Sequence, residues 1–194
     1  MSVTRNSGRL AYWRLKLEAL VLLVLSRREP ALDVFSAMLL RWPGDAYVLA
    51  SRAHLYAQLG RHAEALADAQ ALTQAHPQRS AADWFNLAFL LDAAGRHVEA
   101  EPAFRQALAL DPKLDRGWYG LGLLLIRLQR FDEAVAALKR NTELQPMSPY
   151  GWYQLARVHF DRHEPDEARK IIRHLKEFEP KVAAQLERET GLAA

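Results

Sequence analysis

Prolines at positions 43, 77, 112, 146 and 180 lie 34, 35, 34 and 34 residues apart. A period of that length, held over most of the chain, points to a stack of like supersecondary units rather than one irregular globule. Other residues keep the same register. Trp84, Trp118 and Trp152 each stand 28 residues before one of these prolines, with Leu87, Leu121 and Leu155 three residues further on. Small residues follow (Ala88, Gly122, Ala156), then Glu-Ala pairs at 99–100, 133–134 and 167–168, then bulky Phe104, Leu138 and Ile172.

Within a unit the pattern is helical. Trp118, Leu121, Gly122 and Leu125 fall at i, i+3, i+4 and i+7, one face of a helix. Small residues at 88, 100, 122 and 134 let helix axes approach. Ser80 with Asp83 predicts a capping box, and Ser148-Pro149 a cap and first turn. Gly60 and Gly95 suit left-handed turns between the helices of their units. The glycines of DRGWYGLGLLL (115–125) lie in this helical register, so their N–H groups are spent inside a helix and cannot wrap a phosphate. Packing accounts for Gly122; Gly117 and Gly120 are expected to leave floor space for a ligand.

The residues that carry the period resemble the tetratricopeptide repeat family, two antiparallel helices per 34-residue unit. The match is fullest over 81–112 (Trp84, Leu87, Ala88, Gly95, Ala100, Phe104, Ala107, Pro112). It holds over 46–77, with Leu49 in place of the tryptophan, and is weak over 12–43. The resemblance implies an all-α fold, a right-handed superhelical α-solenoid of antiparallel helix pairs with a C-terminal capping helix. The expected organisation is a flexible N-terminus (1–9), a degenerate first repeat (10–43), repeats at 44–77, 78–112, 113–146 and 147–180, and a capping helix and tail (181–194).

In the family, the first helix of each repeat lines a concave wall. Carried over, the wall holds Tyr47, His54, Phe85, Asn86, Phe89, Arg116, Tyr119, Leu123, Arg127, Tyr150, Tyr153, Gln154 and Arg157, with Ala50, Gln58, Asp92, Gly120 and Phe160 beside them. Aromatic residues with interspersed amides and arginines are the mix enriched at protein-binding hot spots. The carboxylate clamp of lysines, arginines and asparagines found in some family members is not assembled at these places. The implied partner is a protein or peptide with apolar anchors, gripped by an adaptor, scaffold or assembly factor.

The N-terminal helix carries a second surface. Leu10, Trp13, Leu17, Leu20, Val21 and Val24 make it apolar nearly all round, and a terminal helix has no preceding neighbour to cover it. A larger complex, a second copy or a membrane surface could supply the cover. Ala19–Leu25 is too short to span a bilayer, and Ser26-Arg27-Arg28-Glu29-Pro30 is no cleavage site, so it is expected to be neither cleaved nor spanning. The default location is then cytoplasmic, with attachment at a membrane periphery left open.

Net charge is +3, and its distribution matters more than its size. Residues 1–41 hold seven Lys/Arg against three Asp/Glu; the remainder holds 19 against 20. A balanced body argues against single-stranded RNA, the lesser alternative, because phosphate neutralisation needs a basic track. Cysteine is absent, excluding disulfides, thiolate metal sites and thiol nucleophiles. His159 and His163 at i, i+4 could hold zinc, but no third ligand is fixed, and packing and turn roles are expected instead. No nucleophile motif is visible, and no catalytic, metal or cofactor site is expected. Glu18 and Arg52 stand at equivalent places in adjacent repeats and are expected to pair. Asn141, on a second helix, needs a hydrogen-bond partner if buried.

Overall fold

The computed structural model describes residues 2–193, with side chains described from residue 8. Its elements are α1 (Ser2–Val24), α2 (Arg28–Arg41), α3 (Ala46–Gln58), α4 (His62–Ala75), α5 (Ala81–Ala93), α6 (His97–Leu110), α7 (Asp115–Arg127), α8 (Phe131–Leu144), α9 (Pro149–Asp161), α10 (Pro165–Phe178) and α11 (Pro180–Thr190). Among the described residues there is no strand. Of the segment 1–9, expected to be flexible, Met1 and the side chains of 2–7 lie outside the described residues. The backbone from Ser2 forms the first turns of α1, where no proline interrupts it.

The helices fall into two compact units, Met1–Ala94 and Gly95–Ala194. In the first, α1 packs on α2, α3 on α2 and α4, and α5 on α4. Its core gathers Ala19 of α1, Phe35 and Met38 of α2, Val48 and Leu49 of α3, and Leu72 of α4. In the second, α7 packs on α6 and α8, α9 on α8 and α10, and α11 on both α9 and α10. Leu138, Leu155, Val158, Ile172, Leu175, Ala183 and Leu186 fill its core, so α11 covers the last pair of helices with Ala183 and Leu186.

Five residues at the repeat spacing turn the chain between paired helices. Ser26, Gly60, Gly95, Gln129 and His163 all have φ between 58° and 73°. Behind four of them the next N–H reaches back five residues, as in Arg61 to the Tyr56 carbonyl and Arg130 to the Leu125 carbonyl, both at 2.9 Å. This is the Schellman closure that satisfies the last carbonyls of a helix. Gly60 and Gly95 therefore have the turn role expected of them, and His163 takes it without being glycine.

Other local expectations are met in part. Ser80 Oγ accepts from the Ala82 N–H at 3.0 Å, but Asp83 does not reach back to close a box. Arg79 takes both Asp83 carboxylate oxygens instead, at 2.7 and 2.5 Å. Ser148 stands at the N-cap of α9 ahead of Pro149 without a side-chain cap bond. Asp45, unremarked in the sequence, does cap α3 by accepting from Val48 N–H at 2.9 Å.

The glycines of α7 are explained by packing, which corrects the expected ligand space at Gly117 and Gly120. A Cβ at Gly120 would lie 2.6 Å from Phe104 Cε1, and one at Gly117 2.9 Å from Leu108 Cδ2. The room is filled by α6. Gly122 meets Leu138 in the same way. Asn141 is buried, and its Nδ2 donates to the Asp115 carbonyl at 2.9 Å.

Candidate functional site

In the first unit, α3, α4 and α5 enclose an open-sided slot of about 200 Å³. Its floor is built from Ala50, Ala53 and Ala57 of α3 and Ala69 of α4. Three alanines at i, i+3 and i+7 end at Cβ, so three helix backbones bound a space that larger residues would fill. His54, His62 and Asn86 give the rim its polar groups, and Phe89 forms a lip. Phe89 is 58% exposed, and its ring stacks with Phe85 at 6.5 Å between centroids. A His54 ring nitrogen and Gln58 Nε2 are 2.9 Å apart. Asp83 also lines the slot, with its carboxylate held by Arg79. The space suits one aliphatic or aromatic side chain, with amide and imidazole groups placed for a backbone nearby.

Of the wall residues assigned to this unit, the structure brings together His54, Phe85, Asn86 and Phe89. Tyr47 turns away: its ring lies 3.6 Å beneath the Lys16 ammonium and packs against the core. The sequence reading missed His62, Ala57 and Ala69. The alanine spacing in AYVLASRAHLYAQ was the available signal for the floor.

In the second unit the wall residues are more engaged. Tyr119 and Tyr153 pack against the core, and the Tyr153 hydroxyl donates to Glu189 of α11 at 2.6 Å. Arg157 approaches Tyr153 Oη at 3.4 Å and Glu189 at 3.7 Å. The Tyr153 hydroxyl, then the Gln185 amide, hold the Glu189 carboxyl below its usual range. Leu123 and Gln154 are half-buried, while Arg116, Arg127 and Tyr150 lie at the surface. Tyr119 and Tyr153 thus serve packing and the C-terminal helix, while Tyr150 and Phe160, 70% and 38% exposed, stand out from it.

Helix α1 has two faces. Tyr12, Leu15, Leu22 and Leu23 pack against the core around fully buried Ala19. Burial, aided by Asp45, pushes the Tyr12 hydroxyl up to about 12. On the other side Leu10, Trp13, Leu17, Leu20, Val21 and Val24 are exposed. The helix is apolar all round because half of it is core and half is bare.

Two further expectations are decided here. Arg52 does not pair with Glu18. Its Nε and Nη2 donate to both Asp68 oxygens at 2.7 Å, and Nη1 to Ser36 Oγ at 2.9 Å. Asp68, on α4, faces inward and offers a planar fork, whereas Glu18 lies on the exposed side of α1. His159 is buried with Nδ1 2.6 Å from Glu164 Oε2, a packing role. Among the described residues no group of three His, Cys, Asp or Glu could hold a metal ion. No helix among them is long and apolar enough to cross a membrane.

Comparison with known proteins follows the same lines. One tetratricopeptide repeat profile matches residues 16–80 and 50–115, and a second matches 93–153. No curated protein matches the chain. Among solved structures, a tetratricopeptide repeat protein from Parabacteroides merdae is 20% identical with a TM-score of 0.81, over 94% of this chain and 74% of its own. YrrB, described as a TPR protein with an unusual peptide-binding site, is 17% identical with a TM-score of 0.79 over 88% of each chain. MamA is 17% identical with a TM-score of 0.78, over 91% of this chain and 93% of its own. The helix-pair period, the left-handed turns and the profile matches converge: the chain belongs to the tetratricopeptide repeat family, whose fold is that of a protein–protein interaction module.

Proposed function

We propose that the protein is a non-enzymatic adaptor that holds a segment of a partner protein against α3–α5. One aliphatic or aromatic side chain of the partner enters the alanine-floored slot, and Asn86 and His54 bond its backbone. The observation that carries this is the slot itself, with Phe89 exposed at its lip where a soluble surface would be expected to be polar. The peptide-binding site named for YrrB, a protein of like fold, is in keeping with it.

A random peptide library displayed on phage tests the slot. Selection on the wild-type protein is expected to enrich a recurrent apolar residue, and Ala57→Leu and Phe89→Ser should each abolish the enrichment while keeping helical content. Equal enrichment on all three proteins would place the binding surface elsewhere.

A second surface is favoured by a separate observation, the bare stripe of α1. There the protein docks onto a further body, whatever the slot holds. Leu17→Glu, which changes the bare stripe without touching the core face of α1, should leave peptide selection intact and abolish that association.

A further inference from the structure

The exposed residues of α1 form a regular seam. Leu10, Trp13, Leu17, Leu20 and Val24 follow one another at intervals of three, four, three and four, the a/d alternation of a coiled coil. They are 70, 58, 63, 40 and 84% exposed, with Val21 beside them at 48%. The spacing keeps these residues on one narrow stripe, the width a second helix packs against, whereas a lipid surface is best met by a broader apolar face.

Resting on the reading of α1 as a docking surface, we infer that its occupant is α1 of a second copy, running antiparallel and crossing at Leu17. Leu17 is the midpoint of the seam. A two-fold axis there sets Trp13 against Val21 and Leu20 of the second copy, and Leu10 against its Val24. Away from the Leu17 pair on the axis, the larger side chain meets a smaller one. A parallel pair would stack Trp13 on Trp13 and leave Arg14 against its own counterpart.

Charge agrees with the antiparallel pair. Arg14 and Glu18 border the seam, and both are exposed. Among the described residues neither has a hydrogen bond or ion pair, although they stand four apart on one helix. The two-fold brings Arg14 of each copy near Glu18 of the other, so the pair forms twice. The stripe exposes several hundred Å², near the lower end of the ~800 Å² per partner of a standard interface, so the dimer should dissociate on dilution.

The absence of cysteine makes the test direct. Light scattering on the full chain over a concentration series should show a mass rising from one chain to two. Leu17→Glu, which puts two carboxylates on the axis, should hold it at one chain with unchanged circular dichroism. Arg14→Glu and Glu18→Arg should each be monomeric alone and dimeric when mixed, because mixing restores both cross-pairs. Under oxidation, Leu17→Cys should cross-link to itself and Val24→Cys should not, whereas a mixture of Leu10→Cys with Val24→Cys should. A wild type that stays monomeric, Val24→Cys cross-linking alone, or charge variants that fail to rescue each other would overturn the inference. If the monomer instead floats with vesicles of anionic phospholipid in a Leu17-dependent way, the docking surface stands and its occupant is lipid. A monomer indifferent to vesicles, with no association lost in Leu17→Glu, sinks the docking surface as well. Neither outcome bears on the slot between α3 and α5.

Discussion

The indole Nε1 of Trp118 donates to the carbonyl oxygen of Pro112 at 2.9 Å. Trp84 does the same to Pro77 and Trp152 to Pro146, each at 2.8 Å. The two residue types that mark the repeat are therefore bonded to each other: the tryptophans of α5, α7 and α9 each fasten the proline-containing loop that precedes their helix. Without the bond the exposed loop carbonyl and the indole N–H would both turn to water. Trp118→Phe, which keeps an aromatic ring but removes the donor, should cost about 1–2 kcal/mol, of which roughly 1 is the bond. Urea unfolding measures it; an unchanged midpoint would show that water replaces the indole at no cost.

That pairing illustrates what the sequence could and could not reveal. The spacing of tryptophan and proline was visible, and with it the helix pairs. Their bond was not, because a tryptophan 28 residues before one proline is only six or seven after another, and periodicity does not say which it touches. Gly120 was misread for a similar reason. Its small size signalled a close approach, but whether by ligand or by Phe104 depends on an adjacent helix whose rotation the pattern leaves open. Arg52 and Glu18 share a register position, which suggested a pair; the nearer Asp68 won because its two oxygens match the guanidinium fork. The wall aromatics divided likewise. Phe89 stays bare at the slot, whereas Tyr153 meets Glu189 of a helix that belongs to no repeat.

The turn series gives a prediction with two signs. Gln129 adopts φ 58° and Gly60 φ 73° at equivalent positions. A side chain in the left-handed region costs roughly 1–2 kcal/mol, partly offset by the greater freedom of glycine in the unfolded chain. Gln129→Gly is thus expected to stabilise by about 0.5–1 kcal/mol and Gly60→Ala to destabilise by about 1. Thermal melts of both variants check it; a stabilising Gly60→Ala would contradict the turn geometry.

Removing the partner of Arg52 should be costly. Asp68 is only 7% exposed at its side chain and Arg52 20%, so Asp68→Ala leaves a poorly hydrated guanidinium with Ser36 alone. The expected loss is about 2–3 kcal/mol, at the low edge for a buried pair because Arg52 keeps some water. Glu18→Ala should stay within about 0.5 kcal/mol. Equal losses from the two substitutions, read by chemical denaturation, would revive the pairing of Arg52 with Glu18.

Acid should act on the second unit through a four-membered network. Arg130 donates to Glu101 at 2.6 Å and to Glu133 at 2.7 Å, and Arg105 bonds both carboxylates at 2.8–2.9 Å. Partial burial pushes the Glu101 carboxyl up, but its bonds to Arg130 and Arg105 outweigh this and hold it below the ordinary 4.5. The Arg130 bond likewise lowers Glu133. Carboxyls lowered on folding contribute stability that is whole above their unfolded value and fades as pH falls through the folded one. The melting temperature should therefore hold between neutral pH and about 5, then drop below 4.5. The double variant Glu101→Gln, Glu133→Gln should start lower and fall less steeply across that window. Parallel melting curves for wild type and variant would mean that acid acts elsewhere, whereas a gap that narrows in high salt would mark the network as a solvent-screened one.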